Sequence, residues 1–389
     1  MAASPSTARV INDRLALRFL QDEGPLTAGQ LKSLTGLSRP TIADLVERLQ
    51  VSGLIGVVGE AGAQRRGPNA RVYGIVADRA HLAALDVRTQ GVSLVVADLL
   101  GHTLAEASLP IDAGSGTGPA VAAAVSLLER TAAGAGASRL HTVAIGVPGL
   151  IDPATGDLRD SGLPGWHRSL VGALQDRLSA RIVLENETNL AAVAEQRAGA
   201  ARDRDTFAFL WFGVGVGAGL FLDGRLRRGA SGGAGEIGFL PVPGTGGLPS
   251  NADCSGGFHS LAGSAAICAL GAEHGLPVDE AAPSPAAAGV VARAVAAGHD
   301  AFLDALADRV SVGAAGVVSV LDPGCVVLGG EVGLAGGTEL ASRVAARLVG
   351  LNPLSTEVRP GELGGSAIVR GALLTARDRA QDQLFAPRA

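Results

Sequence analysis

The sequence predicts an α/β protein in two parts. A head of three helices with a β-wing occupies residues 1–78, and a body of two similar α/β lobes occupies 79–200 and 201–389. Three observations predict this. Short helical periodicities punctuated by glycine and capping residues fill the first 50 positions, and two β-rich runs then flank a loop rich in glycine and arginine. Beyond residue 80, apolar strands, helical stretches and a buried strand ending in glycine occur twice in the same order. With 389 residues, 47% of them hydrophobic and 18% charged, the chain can bury a large core.

The head is justified element by element. Val10, Ile11, Leu15, Phe19 and Leu20 recur at helical spacing, and Gly24-Pro25 stops that helix. Thr27-Ala28-Gly29-Gln30 has the form of a capping box and opens a short helix through Leu31 and Leu34, which Gly36 ends. Ser38 caps a third helix whose stripe is Ile42, Leu45, Val46 and Leu49, leaving Arg39, Thr41, Ala43, Asp44, Glu47 and Arg48 outward. Two helices joined by a tight turn can present the second helix's N-terminal side chains to a DNA major groove. Leu54 to Val58 and Arg71 to Val76 read as strands around a wing, Gly59 to Ala70, whose tip carries Gln64, Arg65, Arg66 and Gly67.

The predicted DNA-facing set is therefore Ser38, Arg39, Pro40, Thr41, Asp44 and Arg48 on the third helix, with Gln64, Arg65, Arg66 and Gly67 on the wing. Arg39 and Thr41 are placed for bases or phosphates, Arg48 for phosphate, and the wing arginines for affinity rather than sequence. The bland alternative for Arg65 and Arg66 is a pair of solvated hairpin charges.

Charge supports the division. Lys and Arg outnumber Asp and Glu by 10 to 7 over residues 1–79 and trail them by 22 to 30 beyond, within a net charge of -5. Three scattered cysteines, Cys254, Cys268 and Cys325, make no disulfide framework, and a reducing cytoplasm is expected. No apolar run suggests a signal peptide or a membrane span.

In the body, Leu82 to Asp86, Gly91 to Asp98 and Thr103 to Ile111 form a predicted meander, followed by a helix over Pro119 to Ala133 and a buried strand, Thr142 to Val147. The second set has strands at 206–212 and 218–222, later helices, and a buried strand Cys325 to Leu328. Ligands are expected in the cleft between the lobes.

Several segments together carry a family resemblance: Ala144-Ile145-Gly146-Val147-Pro148-Gly149, Leu163-Pro164-Gly165-Trp166, Glu185-Asn186-Glu187-Thr188-Asn189, the glycine-rich Gly213 to Gly219, Gly235-Glu236-Ile237-Gly238 and Val327-Leu328-Gly329-Gly330. In this order they resemble the ROK family of repressors and sugar kinases, and the head is similar to that of its repressor branch. The resemblance implies an actin/hexokinase-like (ribonuclease H-like) fold, a homodimer or dimer of dimers, and a sugar or other small metabolite as effector.

Departures from the family pattern qualify the implied activity. Its kinases hold ATP phosphate on Asp-x-Gly-Gly-Thr, whereas this chain has Asp86-Val87-Arg88-Thr89-Gln90, with bulk where glycine would let amides approach an anion. Val214 replaces a threonine hydroxyl in the second phosphate turn, so Gly213 to Gly219 is expected to be a structural hairpin. Glu187 stands where the family has its catalytic Asp, one methylene longer, and is assigned with Asn186 to ligand contact; the alternative is a turn that only orders the cleft. Phe239 replaces the zinc histidine and only Cys254 remains of three zinc cysteines, so no metal or other cofactor is expected. Glu236 matches a sugar contact, and His259 aligns with another or is a core histidine.

The expected function is a DNA-binding regulator without enzymatic activity, partnered by operator DNA, an effector held by Asn186, Glu187, Glu236 and His259, and a second copy of itself. Two alternatives stand beside it: an ATP-dependent sugar kinase with an accessory DNA-binding head, and an effector-independent DNA-binding scaffold.

Overall fold

The computed structural model describes residues 5–61, 70–88, 91–111, 116–159, 165–252, 255–279 and 285–386. The head comprises α1 (Pro5–Asp22), β1 (Leu26–Thr27), α2 (Ala28–Thr35), α3 (Arg39–Val51), β2 (Ile55–Ala61) and β3 (Ala70–Ile75). Leu31, Ile42, Leu45, Val46 and Leu49 are buried as their periodicity requires. Each such aliphatic side chain contributes about 1.5–3 kcal/mol by leaving water. The α1 face differs from expectation. Ala16, Leu17 and Leu20 are buried while Ile11 is 55% exposed, because the inward stripe runs a fraction of a turn from the residues chosen by apolarity. The short strand β1, not anticipated, joins an antiparallel sheet of order β1-β3-β2, with Leu26 opposite Tyr73 and Ile55 opposite Ile75.

The first body sheet is built from β4 (His81–Arg88), β5 (Gly91–Asp98), β6 (Thr103–Pro110), β7 (Leu140–Val147) and β8 (Arg181–Asn186), in the order β6-β5-β4-β7-β8. Helices α4 (Thr117–Gly134), α5 (Trp166–Arg177) and α6 (Glu187–Ala198) connect and flank it. β4 pairs antiparallel with β5 and parallel with β7, which pairs parallel with β8. Being central, β4 is buried from Leu82 to Val87, whereas edge strand β6 alternates.

The second sheet repeats the pattern, with β9 (Phe207–Phe212), β10 (Val216–Leu222), β11 (Arg225–Leu226), β12 (Cys325–Gly329) and β13 (Glu357–Pro360) in the order β11-β10-β9-β12-β13. Its helices are α7 (His259–Ala262), α8 (Ser264–Glu273), α9 (Ala286–Ala297), α10 (Asp300–Leu321) and α11 (Gly330–Leu351). Thus each sheet has three antiparallel strands followed by two parallel ones, the internal duplication expected from the sequence.

The terminal helix α12 (Ala367–Leu384) corrects the expected lobe boundary. Sequence order places it with residues 201–389, yet it packs on α6, β4 and β7 of the first sheet. The approach is close: a Cβ on Gly371 would stand 1.9 Å from the Leu190 carbonyl oxygen, so only glycine fits. Gly219 serves α6 similarly from β10, since a Cβ there would lie 2.4 Å from Ala192 Cβ. At the far end of α12, Gln381 Nε2 donates to Gln21 Oε1 of α1 at 2.7 Å, tying the body to the head. Among the described residues no helix is long and apolar enough to cross a membrane.

Candidate functional site

The exposed start of α3 is built by local hydrogen bonds. Thr27 Oγ1 accepts from Gln30 N at 3.2 Å while Gln30 Oε1 accepts from Thr27 N at 2.9 Å, completing the capping box of α2. Gly36 then turns the chain with φ 69°. Ser38 Oγ accepts from Thr41 N at 3.3 Å and lies 2.8 Å from Thr41 Oγ1. Pro40 in the first turn removes no helical hydrogen bond, and Arg39, Pro40 and Asp44 are exposed beside half-buried Thr41.

Arg48 departs from its assigned role. Its Nη2 donates to Asp13 Oδ1 of α1 at 2.6 Å and its Nη1 to Asp44, so both Arg48 and Asp44 brace the head internally. A guanidinium held by two carboxylates is a poor phosphate ligand, because binding would require breaking those pairs. Gln64, Arg65, Arg66 and Gly67 lie outside the described residues.

A second constellation sits where the C-terminal ends of β4 and β8 face α11. Arg88 Nε donates to Asp86 Oδ2 at 2.8 Å, Nη1 to Glu331 Oε1, and Nη2 to the Gly365 carbonyl at 3.0 Å. One side chain of the first sheet therefore grips the first turn of α11 and the segment leading into α12. Behind it, His167 is 1% exposed, and its Nε2 lies 3.3 Å from the Arg88 carbonyl oxygen; burial lowers its basicity. Thr89 lies outside the described residues.

Glu187 opens α6 beside this cluster. Burial pushes its carboxyl up to about 7, reinforced by Asp86, Glu331 and Glu236 and opposed by Arg88. Asp86, 4% exposed, is pushed up to about 6 by burial, with Arg88 pulling it down. Oδ1 of Asp86 and Oε2 of Glu331 are buried with no hydrogen-bond partner among the described residues, so two acceptors stay unsatisfied beside Arg88. Glu236 lies on the loop after β11 and is exposed at the mouth, where partial loss of water still raises its carboxyl.

Asn186 behaves otherwise than assigned. Its Oδ1 accepts from Thr188 N at 2.9 Å and Asn189 N at 3.2 Å, and its Nδ2 donates to the Gly149 carbonyl at 3.0 Å. It is the N-cap of α6, and the turn it forms orders the cleft. His259 is half-buried against the turn after β9, 3.7 Å from where a Gly215 Cβ would stand, and burial lowers its basicity. That turn is a β-hairpin, Gly213 N donating to the Gly215 carbonyl at 3.0 Å, with Val214 71% exposed. Phe239 is 38% exposed near the same loop. Cys254 lies outside the described residues.

Sequence reasoning missed Glu331, His167, Glu185 and Arg228. Glu331 directly follows Gly329-Gly330, and an acid in the first turn of a helix after a buried strand is a readable signal. Glu185 accepts from Asn189 Nδ2 at 3.0 Å and Arg228 Nε at 2.6 Å, fixing the loop that bears Glu236 to β8.

Comparison with known proteins places this architecture. The ROK family model matches residues 83–379. The xylose repressor of Bacillus subtilis (strain 168) is 23% identical over 248 residues, covering 62% of this chain and 62% of the repressor. The glucokinase of Halalkalibacterium halodurans is 27% identical over 217 residues, covering 52% of this chain and 65% of the kinase. This chain therefore spans somewhat under two thirds of either relative. The crystal structure of a ROK family transcriptional regulator, homologous to the E. coli MLC protein, superposes with TM-score 0.70 at 19% identity, over 97% of this chain and 98% of that one. That likeness shows the fold from head to terminal helix. With the family model spanning most of the chain and both lobes in place, this protein belongs to the ROK family.

Proposed function

We propose that this protein is a transcriptional repressor of the ROK type, with a winged helix-turn-helix head that reads operator DNA and a body that senses a small metabolite without phosphorylating it. The observation that carries the reading is the head itself: a capped α3 with Arg39, Pro40 and Thr41 at its open start, attached to a body in which Arg88 bridges Glu331 and Gly365. Arg39 and Thr41 contact bases or phosphates, Ser38 positions them, and Gln64, Arg65, Arg66 and Gly67 follow the backbone from the wing. Two copies place two heads on a pseudo-palindromic site.

In the cleft, Glu187, Glu236 and His259 take the effector. The Glu187 carboxyl, raised to about 7, can exist as acid or as carboxylate and so can donate to or accept from sugar hydroxyls. Arg88, engaged by Asp86, Glu331 and Gly365, fills the end of β4 with side chain where a nucleotide phosphate would need open backbone.

Helix α12 supplies the route to the head. It starts beside Gly365, which Arg88 grips, and its far end holds Gln21 through Gln381. A helix of this length carries displacement over about 27 Å as a rigid body. An effector that redistributes the Arg88 contacts shifts the head, and by linkage DNA changes effector affinity by the same factor.

A sugar kinase with an accessory head is the second reading. Glucokinase similarity favours it, as does Glu187, whose carboxyl near 7 suits a general base. One experiment separates them: the full chain is mixed with fragmented genomic DNA, retained fragments are sequenced, and ATP consumption is followed with a panel of sugars. Recovery of a pseudo-palindromic site without ATP turnover supports the repressor; saturable sugar-dependent turnover overturns the non-catalytic reading.

A further inference from the structure

The end of the first sheet opposite the cleft holds a site that the regulatory reading does not use. His81, His141 and Arg181 stand at the starts of the adjacent parallel strands β4, β7 and β8, where the register sets His81 opposite Leu140 and Thr142 opposite Arg181. Arg79 arrives from the connector between head and body, Arg139 from the turn before β7, and Gln383 from the last turn of α12. Together they line a recess of about 820 Å³.

Its charge is uncompensated. Many arginines of the body meet carboxylates, as Arg343 does Asp304 at 2.8 Å and Arg359 does Asp203 at 2.6 Å, although Arg130, Arg293 and Arg309 bond only a hydroxyl or a carbonyl oxygen. Arg79, Arg139 and Arg181 have no ion pair or side-chain hydrogen bond among the described residues, although Asp78 lies on the same wall. All three cations act on His141, which burial and their repulsion hold below its ordinary basicity. His141 Nδ1 is 2.9 Å from the hydroxyl of fully buried Thr142, leaving Nε2 as its other polar atom. Convergent unpaired guanidinium groups repel unless an anion lies between them, and guanidinium geometry matches phosphate oxygens.

We propose that this recess binds a phosphate-bearing small molecule, held by Arg79, Arg139 and Arg181 with His81 and His141. The three arginines gather around one recess instead of along a track, which favours a small anion over a DNA backbone. The site is distinct from the cleft: β4 carries His81 at one end and Arg88 at the other, roughly 23 Å apart for a strand of this length. It touches the hinge of the head, since a Cβ on Gly53, in the turn after α3, would stand 4.0 Å from Arg79 Nε. Occupancy would pin that turn to the body; this consequence rests on the repressor reading, whereas the binding itself does not.

The test is isothermal titration calorimetry of the full chain with inorganic phosphate and with pyrophosphate at constant ionic strength, for the wild type and Arg139→Gln/Arg181→Gln. The wild type is expected to bind pyrophosphate at one site with Kd below about 1 mM, and the double variant to bind at least about tenfold more weakly. Its melting temperature should equal or exceed the wild type's, because the change relieves repulsion and shows an intact fold. No binding by the wild type, or equal affinity in the variant, overturns the proposal. A random 20-base-pair duplex forms a second arm: loss of duplex affinity in the variant, with no pyrophosphate binding by the wild type, would assign the arginines to the DNA backbone and equally overturn it. Pyrophosphate binding by a chain that fails to select genomic DNA would leave this site standing while the repressor reading falls.

Discussion

Replacing Arg88 with methionine keeps much of the side chain's volume and removes its charge. The guanidinium is 36% exposed, whereas Asp86 and Glu331 are 4% and 11% exposed, so two nearly buried carboxylates lose their counter-charge. Breaking a fully buried pair costs about 3–5 kcal/mol, and the solvent reaching Arg88 reduces this to about 2 kcal/mol at pH 8. The loss must depend on pH. Asp86 and Glu187 are raised in the folded protein to about 6 and about 7, above their unfolded values, so the folded state holds more protons than the unfolded chain and stability falls as pH rises through that window. Removing Arg88 raises both groups further and extends the fall upward. At pH 5 Asp86 is already mostly protonated and needs no counter-charge, so the loss shrinks to about 1 kcal/mol. Urea unfolding of both proteins at pH 5 and pH 8 measures this. An equal loss at both values, or a variant more stable at pH 8, would refute the reasoning.

Glu195, fully buried, accepts from Ala200 N at 2.8 Å, Glu362 N at 2.9 Å and Leu363 N at 3.0 Å, so Glu195→Ala should cost about 3 kcal/mol in chemical denaturation by leaving three amides unpaired. Gly371→Ala drives a methyl into the Leu190 carbonyl oxygen and should lower stability by about 2–3 kcal/mol, shifting the thermal midpoint by several degrees. Arg65→Ala/Arg66→Ala should weaken operator binding and reduce the slope of log affinity against log salt by about 2; an unchanged slope removes the wing from the contact surface.

What the sequence disclosed was what is decided locally. Thr27, Gln30, Gly36 and Ser38 announce their helix ends because capping involves residues two to four apart. Apolar runs likewise announced both sheets, since central strands such as β4 must be buried on two faces. Distant pairing escaped. Arg48 looked available for phosphate because Asp13, 35 positions away, gives no sign of reaching it, and Glu331 meets Arg88 across 243 positions. Helix α12 was placed with the lobe it follows in sequence, because periodicity reveals a helix's apolar face and not the sheet that receives it. Asn186 illustrates a different limit: the same amide that can hold a ligand can cap a helix, and only the geometry of Thr188 N and Asn189 N decides between them.

Whether α3 reads DNA is settled by fluorescence anisotropy of the full-length protein with its genome-selected duplex, titrated beside Arg39→Ala and against a scrambled duplex at fixed salt. The repressor reading predicts saturable binding to the selected duplex with Kd of about 10⁻⁸ M or tighter, at least about a thousandfold preference over the scrambled one, and a loss of about 1–3 kcal/mol in the variant. Equal, weak binding to both duplexes, unaffected by Arg39→Ala, would contradict it.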